Sequence, residues 1–338
     1  MMRILQMVLG LALLLFASHG VAQVGAPLES LLAAVELRVV EGPQDGVSVV
    51  EDASGLRYSL EQRGQALARV AGEALFDPPG LAASARVMAA ATGYFEAIEQ
   101  PLIEYFRANL ANLAGQGTFP VSVEGFELVL AVEGDAAPFR VRWAIGLAAV
   151  PEELFPPARH ALGPSDARYV VREFSDLQCP FCARYAVQVL PILEATLLAR
   201  GDVRFEYHHF ALGGSLVHGA LAAEATECVS DANEAEPKAF WRYTEALFVR
   251  QSVWSPMVDP SDYFIRLAPE IGLSGDGVEA CLAEGVHRES VLRASSAASL
   301  LGIRGTPTVF VGPYQLRDFG SIEGYLQAMG WIDVFAAP

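Results

Sequence analysis

The chain has 338 residues, enough for two domains that each bury a core, and a formal net charge of −17. That acidity argues against nucleic acid as a partner and against docking on anionic lipid. Lys238 is the only lysine, and the four cysteines make an even set.

Met1 to Met7 carries one positive charge, at Arg3, Val8 to Ala17 is an apolar core, and Gly20-Val21-Ala22 offers small residues for cleavage before Gln23. Residues 1–22 thus read as a secretory signal peptide. The apolar run is shorter than the ~20 residues of a spanning helix, and an uncleaved N-terminal anchor is the alternative. The mature chain is expected in the periplasm or another extracytoplasmic space, where disulfides persist.

Residues 23–150 read as an α+β N-terminal domain. Leu37 to Val40, Val47 to Val50 and Leu56 to Tyr58 are short strand signals. Ser59 with Gln62 three residues later forms a capping-box pattern, which predicts a helix to about Leu75, stopped by Asp77-Pro78-Pro79-Gly80. Helices are expected over Leu81 to Gln100 and Pro101 to Leu113, with Pro101 starting the second. Val121 to Val132 and Phe139 to Ala148 follow as a hairpin around Gly134 to Pro138. The region holds no cysteine and no catalytic constellation, so a binding, dimerising or supporting role is expected of it. Four prolines between Pro151 and Pro164 mark residues 151–166 as a linker or irregular crossing stretch.

From residue 167 the elements become strongly patterned. Tyr169, Val170, Val171 and Phe174 form a β-branched and aromatic run, and Ala183 to Ala199 is a helical pattern in which Pro191 should produce a kink. Gly201 caps that helix, and Val203 to Phe210 is the next strand, giving strand, helix, strand and a right-handed βαβ unit. Helical stretches follow at His218 to Cys228, Pro237 to Arg250, Ser261 to Ala268, and Gly277 to Leu301, the last broken near Gly285. Val309 to Val311 and Tyr314 to Leu316 form a hairpin, and Ser321 to Met329 closes the region as a helix.

Cys179 and Cys182 form a C-x-x-C pair where the first strand hands over to the helix. Pro180 follows Cys179 at a first-turn position, where its missing N–H costs nothing. A sulfur there faces unpaired N–H groups and the positive end of the helix dipole, so the thiolate is stabilised. Cys179 is the expected nucleophile, and Cys182, one turn further in and more buried, the resolving thiol. No His follows Cys182, as haem attachment requires, and no second C-x-x-C completes a four-thiolate zinc site. Neither a metal nor another cofactor is expected.

Four segments in the same order, EFSDLQCPFC at Glu173 to Cys182, HHFALGGSLVHGALAAEATEC at His208 to Cys228, AFWRYTEALF at Ala239 to Phe248 and GIRGTPTVFVG at Gly302 to Gly312, resemble the DsbA-type thiol:disulfide oxidoreductases. The resemblance covers about residues 169–329. It implies an α/β thioredoxin-like fold over 167–338 with a helical insert at about 216–301, preceded by the small α+β domain.

The resemblance also implies roles. Thr306-Pro307 matches the family's cis-proline loop, which packs on the cysteine pair and offers backbone groups to an extended substrate. Glu173 matches an acidic residue beneath the active site, placed to accept the Cys182 proton; a half-exposed strand glutamate paired with an arginine is the other reading. Cys228 and Cys281 match a second, structural cysteine pair. Asp176 reads as a turn residue, and His208, His209 and His218 as structural or surface groups. The sequence departs from the pattern at Phe181, where many relatives carry His, and at Ala211, where they carry Pro. Phe181 supplies neither charge nor hydrogen bond, so Cys179 is expected to be less acidic than in Cys-Pro-His-Cys relatives.

The implied activity is thiol-disulfide exchange on unfolded or reduced exported proteins, with a separate redox partner resetting the cysteines. A dimeric isomerase or reductase joined through the N-terminal domain, and a non-catalytic chaperone-like module, are the alternatives.

Overall fold

The computed structural model describes residues 24–123 and 125–335. The signal-peptide reading of residues 1–22 lies outside the described residues. The chain divides into two compact units: one drawn from residues up to Ala149 together with those from Gly330 onward, the other Val150–Met329.

The first unit runs α1 (Leu28–Ala34), β1 (Arg38–Gln44), β2 (Val47–Glu51), β3 (Arg57–Arg63), β4 (Ala66–Leu75), α2 (Pro78–Thr92), α3 (Glu96–Leu113), β5 (Thr118–Val123), β6 (Phe126–Glu133) and β7 (Arg140–Leu147). Its strands form one antiparallel sheet in the order β1-β2-β3-β4-β7-β6-β5. Alternate residues Tyr58, Leu60, Leu128, Leu130, Val141 and Trp143 are buried in a core shared with Leu81, Ala85 and Met88 of α2 and Phe106 of α3. Gly72 sits so close to the rings of Trp143 and Tyr58 that a Cβ there would lie 2.9 Å from each.

Three expectations are corrected in this unit. The helix expected from Ser59 to Leu75 is instead the β3-β4 hairpin, turning at Gly64 with φ +58°. Pairing of β4 with β7 on its other edge and burial of Leu67, Val70 and Ala74 outweigh the helix propensity of an alanine-rich segment. Asp77 does not end a helix but begins one, accepting the Gly80 N–H at 2.9 Å as the cap of α2. The break between α2 and α3 falls at Gly93, in the left-handed conformation with φ 74°, and Pro101 lies inside α3 rather than at its start.

The second unit opens with a 3-10 turn at Glu152–Leu154, then β8 (His160–Leu162), β9 (Tyr169–Ser175), α4 (Pro180–Arg184), α5 (Leu190–Thr196), β10 (Val203–His209), α6 (Gly219–Asp231), α7 (Ala239–Val249), α8 (Gln251–Trp254), α9 (Ser261–Glu270), α10 (Val278–Glu284), α11 (Arg288–Leu300), β11 (Thr308–Val311), β12 (Tyr314–Leu316) and α12 (Ile322–Phe335), the last running on into residues counted with the first unit. The sheet order is β12-β11-β9-β10-β8, with β9 and β10 parallel and the other pairs antiparallel. The βαβ half, β9 to β10, and the ββα half, β11 to α12, thus join where β11 pairs with β9, and helices α6 to α11 are inserted between them. This is the thioredoxin-like fold with a helical insert.

The stretch 151–166 differs from the linker expectation. β8 pairs with β10, Phe155 packs on Phe310 at 5.1 Å, and Arg172 stacks on Phe155 while paired with Glu206 at 3.1 Å. Proline-rich sequence conceals these contacts because its pairing partner lies about forty residues downstream. The conflict at Pro191 is resolved by a π turn, Tyr185–Val189, in which the Leu190 N–H reaches back to Tyr185 O. The extra residue in that turn accommodates the proline at the start of α5.

Candidate functional site

β9 is buried along most of its length and ends at Ser175, so the residues that follow emerge at one end of the sheet beside a helix start. Asp176 closes the turn: its carboxylate accepts the Gln178 N–H at 2.8 Å and the Leu212 N–H at 2.8 Å, and its carbonyl accepts the Cys179 N–H at 3.0 Å. Asp176 is only 1% exposed, so the expected turn residue is also a buried tie between two loops. Burial raises its pKa, with the Cys179 charge adding to the shift and the two N–H donors opposing it.

Cys179 stands at the N-cap of α4 with Pro180 at the first helical positions, and Cys182 one turn in is completely buried. Both thiols are free. The antiparallel register of β11 on β9, with Thr308 opposite Phe174, carries the preceding Thr306-Pro307 to the same end of the sheet. That peptide is cis, and Cys179 Sγ lies 3.3 Å from Thr306 O. The register brings Cys179, Cys182, Thr306 and Pro307 together from positions over a hundred residues apart.

The two thiols are driven in opposite directions. Cys179 is pulled down to about 5, foremost by a hydrogen bond from the Cys182 thiol, against the opposing effect of burial, with help from the Thr306 side chain and from the Cys182 and Phe181 N–H groups. Cys182 is pushed far above the ordinary thiol range, first by burial, then by its hydrogen bond to Cys179 and the charge of Glu173. The side chain at 181 takes no part among these causes; Phe181 is 57% exposed with the Arg184 guanidinium 5.5 Å from its ring centroid. The support that a histidine would supply is therefore replaced largely by backbone donors and the partner thiol.

Glu173 is 1% exposed, and burial raises it to about 8, with the Ser175 hydroxyl opposing and the Cys179 charge adding. Its Oε1 has no hydrogen-bond partner among the described residues, so the reading as a half-exposed glutamate paired with arginine is set aside. Tyr185, Tyr207 and Tyr325 all feel its charge, and Tyr185 and Tyr325 join their hydroxyls at 2.8 Å.

The second cysteine pair, Cys228 and Cys281, is a disulfide that ties α6 to α10. His208, His209 and His218 all have partners within the fold. His209 bonds Glu227 at 2.8 Å, His208 stacks on Phe174 at 4.7 Å, and His218 donates to Met257 O at 2.8 Å. Two features had no motif to announce them. Glu227, 3% exposed, gathers His160, His209 and Arg159, the last at 2.7 Å, and so fastens β8 and β10 to the insert. Gln178 and Gln251 bond the cysteine loop to the insert: Gln178 Nε2 donates to Ser255 Oγ at 3.0 Å, its Oε1 accepts the His218 N–H at 2.7 Å, and Gln251 Nε2 donates to Leu177 O at 2.8 Å and Cys179 O at 3.0 Å.

Comparison with known proteins places this arrangement. A disulfide bond formation protein D of Bacillus subtilis is 27% identical over 173 residues, 48% of this chain and 71% of that protein. A Na(+)/H(+) antiporter NhaA 3 of Salinispora tropica is 30% identical over 168 residues, 48% of this chain and 24% of the antiporter, so the chain spans about a quarter of that relative. Among solved structures, oxidised BdbD from Bacillus subtilis is 24% identical with a TM-score of 0.44, covering 55% of this chain and 95% of that one. DsbA of Chlamydia trachomatis is 16% identical with a TM-score of 0.47, covering 54% and 97%. The resemblance to DsbA-type oxidoreductases read from the sequence is borne out. The family model described as Thioredoxin matches residues 156–329, more than half of the sequence, and the chain belongs to that family.

Proposed function

We propose that this chain is an exported thiol:disulfide oxidoreductase that introduces or exchanges disulfides in unfolded or reduced exported proteins. One observation carries the reading: a thiol at the N-cap position of a helix, 3.3 Å from the Thr306 carbonyl oxygen and held well below its ordinary pKa, beside a completely buried thiol held far above it.

In the oxidised enzyme a substrate thiolate attacks Cys179 Sγ, the Cys179–Cys182 bond breaks, and its electron pair passes to Cys182 Sγ. That sulfur is a poor leaving group as an anion, and Glu173, protonated at neutral pH with a pKa near 8, supplies the proton. A second substrate thiolate then attacks the substrate sulfur of the mixed disulfide, and Cys179 leaves as a thiolate, which its low pKa favours. The substrate loses two electrons and gains one disulfide, the enzyme becomes a dithiol, and a separate redox partner restores it. Thr306-Pro307 offers its backbone to the extended substrate next to the attacked sulfur. In the reverse direction Glu173 accepts the Cys182 proton.

Mixing oxidised protein with a reduced two-cysteine peptide tests the reading. One peptide disulfide should appear for each enzyme disulfide lost; an unchanged enzyme disulfide with peptide thiols still free contradicts it. The same transfer with Cys228 and Cys281 both changed to Ala separates this pair from the structural bridge.

A further inference from the structure

We infer that Gln251, in the helical insert, is a positioning residue for the Cys179 thiolate; the inference rests on Cys179 as the nucleophile. Gln251 is a buried amide, 9% exposed, at the first position of the short helix α8. Its Nε2 spans the loop, donating to Leu177 O at 2.8 Å and to Cys179 O at 3.0 Å. Both hydrogens of one amide are thus committed to the two carbonyls that flank residue 178. The side chain of Gln178 is held in its turn by Ser255 and by the His218 N–H. The carbonyls of Leu177 and Cys179 and the side chain of Gln178 are therefore all anchored to the insert.

The consequence concerns the sulfur. Cys179 draws part of its stabilisation from the N–H groups of Phe181 and Cys182, and these can serve it only while the Cys179 peptide keeps its extended capping conformation, φ −75° and ψ 123°. Its carbonyl also accepts the Ala183 N–H at 3.1 Å, and within the loop Asp176 takes the Gln178 and Cys179 N–H groups at 2.8 and 3.0 Å. Gln251 grips the opposite, carbonyl side of the same loop at Leu177 O and Cys179 O, and so ties the loop that Asp176 closes to the insert. A loop residue that merely satisfied buried carbonyls would contribute stability alone; a positioning residue also sets the thiolate fraction.

The test is the ultraviolet thiolate titration and the alkylation rate of Cys179 in the reduced full chain, neither of which needs turnover. Gln251→Met keeps the length and loses the donors, and the Cys179 titration should rise by about one pH unit, a tenfold loss of thiolate fraction on the acid side. Gln251→Glu places an anion against the two carbonyls and should raise it further. Gln251→Asn keeps the donors on a shorter arm and should fall between wild type and Gln251→Met. Folded variants that titrate as the wild type overturn the inference. So does failure of all three to fold, which assigns Gln251 to stability alone. Exchange retained in Cys179→Ala defeats the functional reading instead, whatever the Gln251 variants do.

Discussion

Cys179 Sγ lies 3.3 Å from the carbonyl oxygen of Thr306, although the two residues are separated by 127 positions in the chain. The contact exists because β11 runs antiparallel to β9 in a register that starts β11 beside the end of β9, at one end of the sheet. It places the Thr306-Pro307 backbone directly against the Cys179 sulfur.

The reduced protein should show a Cys179 thiolate that persists down to about pH 5. The folded pKa is depressed, so the linked stabilisation is complete above the ordinary thiol pKa of about 8.5 and is lost as pH falls through about 5. Comparing urea midpoints of the reduced wild type and Cys179→Ser across that window checks the sign: the wild type's advantage should grow with pH. A constant difference contradicts it.

Glu173 has the opposite sign. Its folded pKa is raised to about 8, so its contribution is most favourable below the unfolded carboxylate pKa of about 4.3 and is lost as pH rises through about 8. Glu173→Gln should therefore be more stable than wild type at alkaline pH and gain nothing at acid pH. Its turnover should fall about 100-fold at neutral pH, the lower end of what is expected when a positioned proton donor is lost. Stopped-flow exchange with a reduced peptide measures the fall.

The Cys228–Cys281 bridge spans a sequence separation of 53. The chain-entropy estimate for a loop of that size is about 4 kcal/mol. Changing both cysteines to Ala should lower the unfolding free energy by that order in urea titration, while the Cys179 thiolate titration stays in place.

Glu227 is held well below the usual carboxylate range; burial opposes this, and hydrogen bonds from His160 and His209 overcome it. Glu227→Leu leaves those partners and Arg159 facing an apolar side chain. A loss of about 3 kcal/mol is expected, reduced from the full cost of an unpaired buried charge because Arg159 is 48% exposed. Thermal unfolding of the oxidised protein reads it.

Much of the second unit was legible in sequence because its elements are local. The β9 run, the helix start at Pro180 and the β11-β12 hairpin each announce themselves within about ten residues. The β3-β4 hairpin did not. Ser59 and Gln62 copy a helix cap, and the alanine-rich β4, paired on one edge with β3, is held on its other edge by β7, some seventy residues away. The site divides in the same way. Cys179 and Cys182 are a spaced motif, and Thr306, Pro307, Glu173, Cys228 and Cys281 were reached through resemblance. Gln251, Tyr185, Tyr325 and the Glu227 cluster carry no motif, because their roles come from partners that only the folded insert and sheet bring near.

The central claim is that Cys179 is the sulfur that forms the mixed disulfide with substrate, attacking in the reductive direction, in which Cys182 resolves. Incubating Cys182→Ala with a disulfide-containing protein and separating the products without reductant should show a persistent covalent adduct joined through Cys179. Cys179→Ala treated in the same way should form none and should have no exchange activity. An adduct formed by Cys179→Ala, or exchange retained by it, would contradict the account.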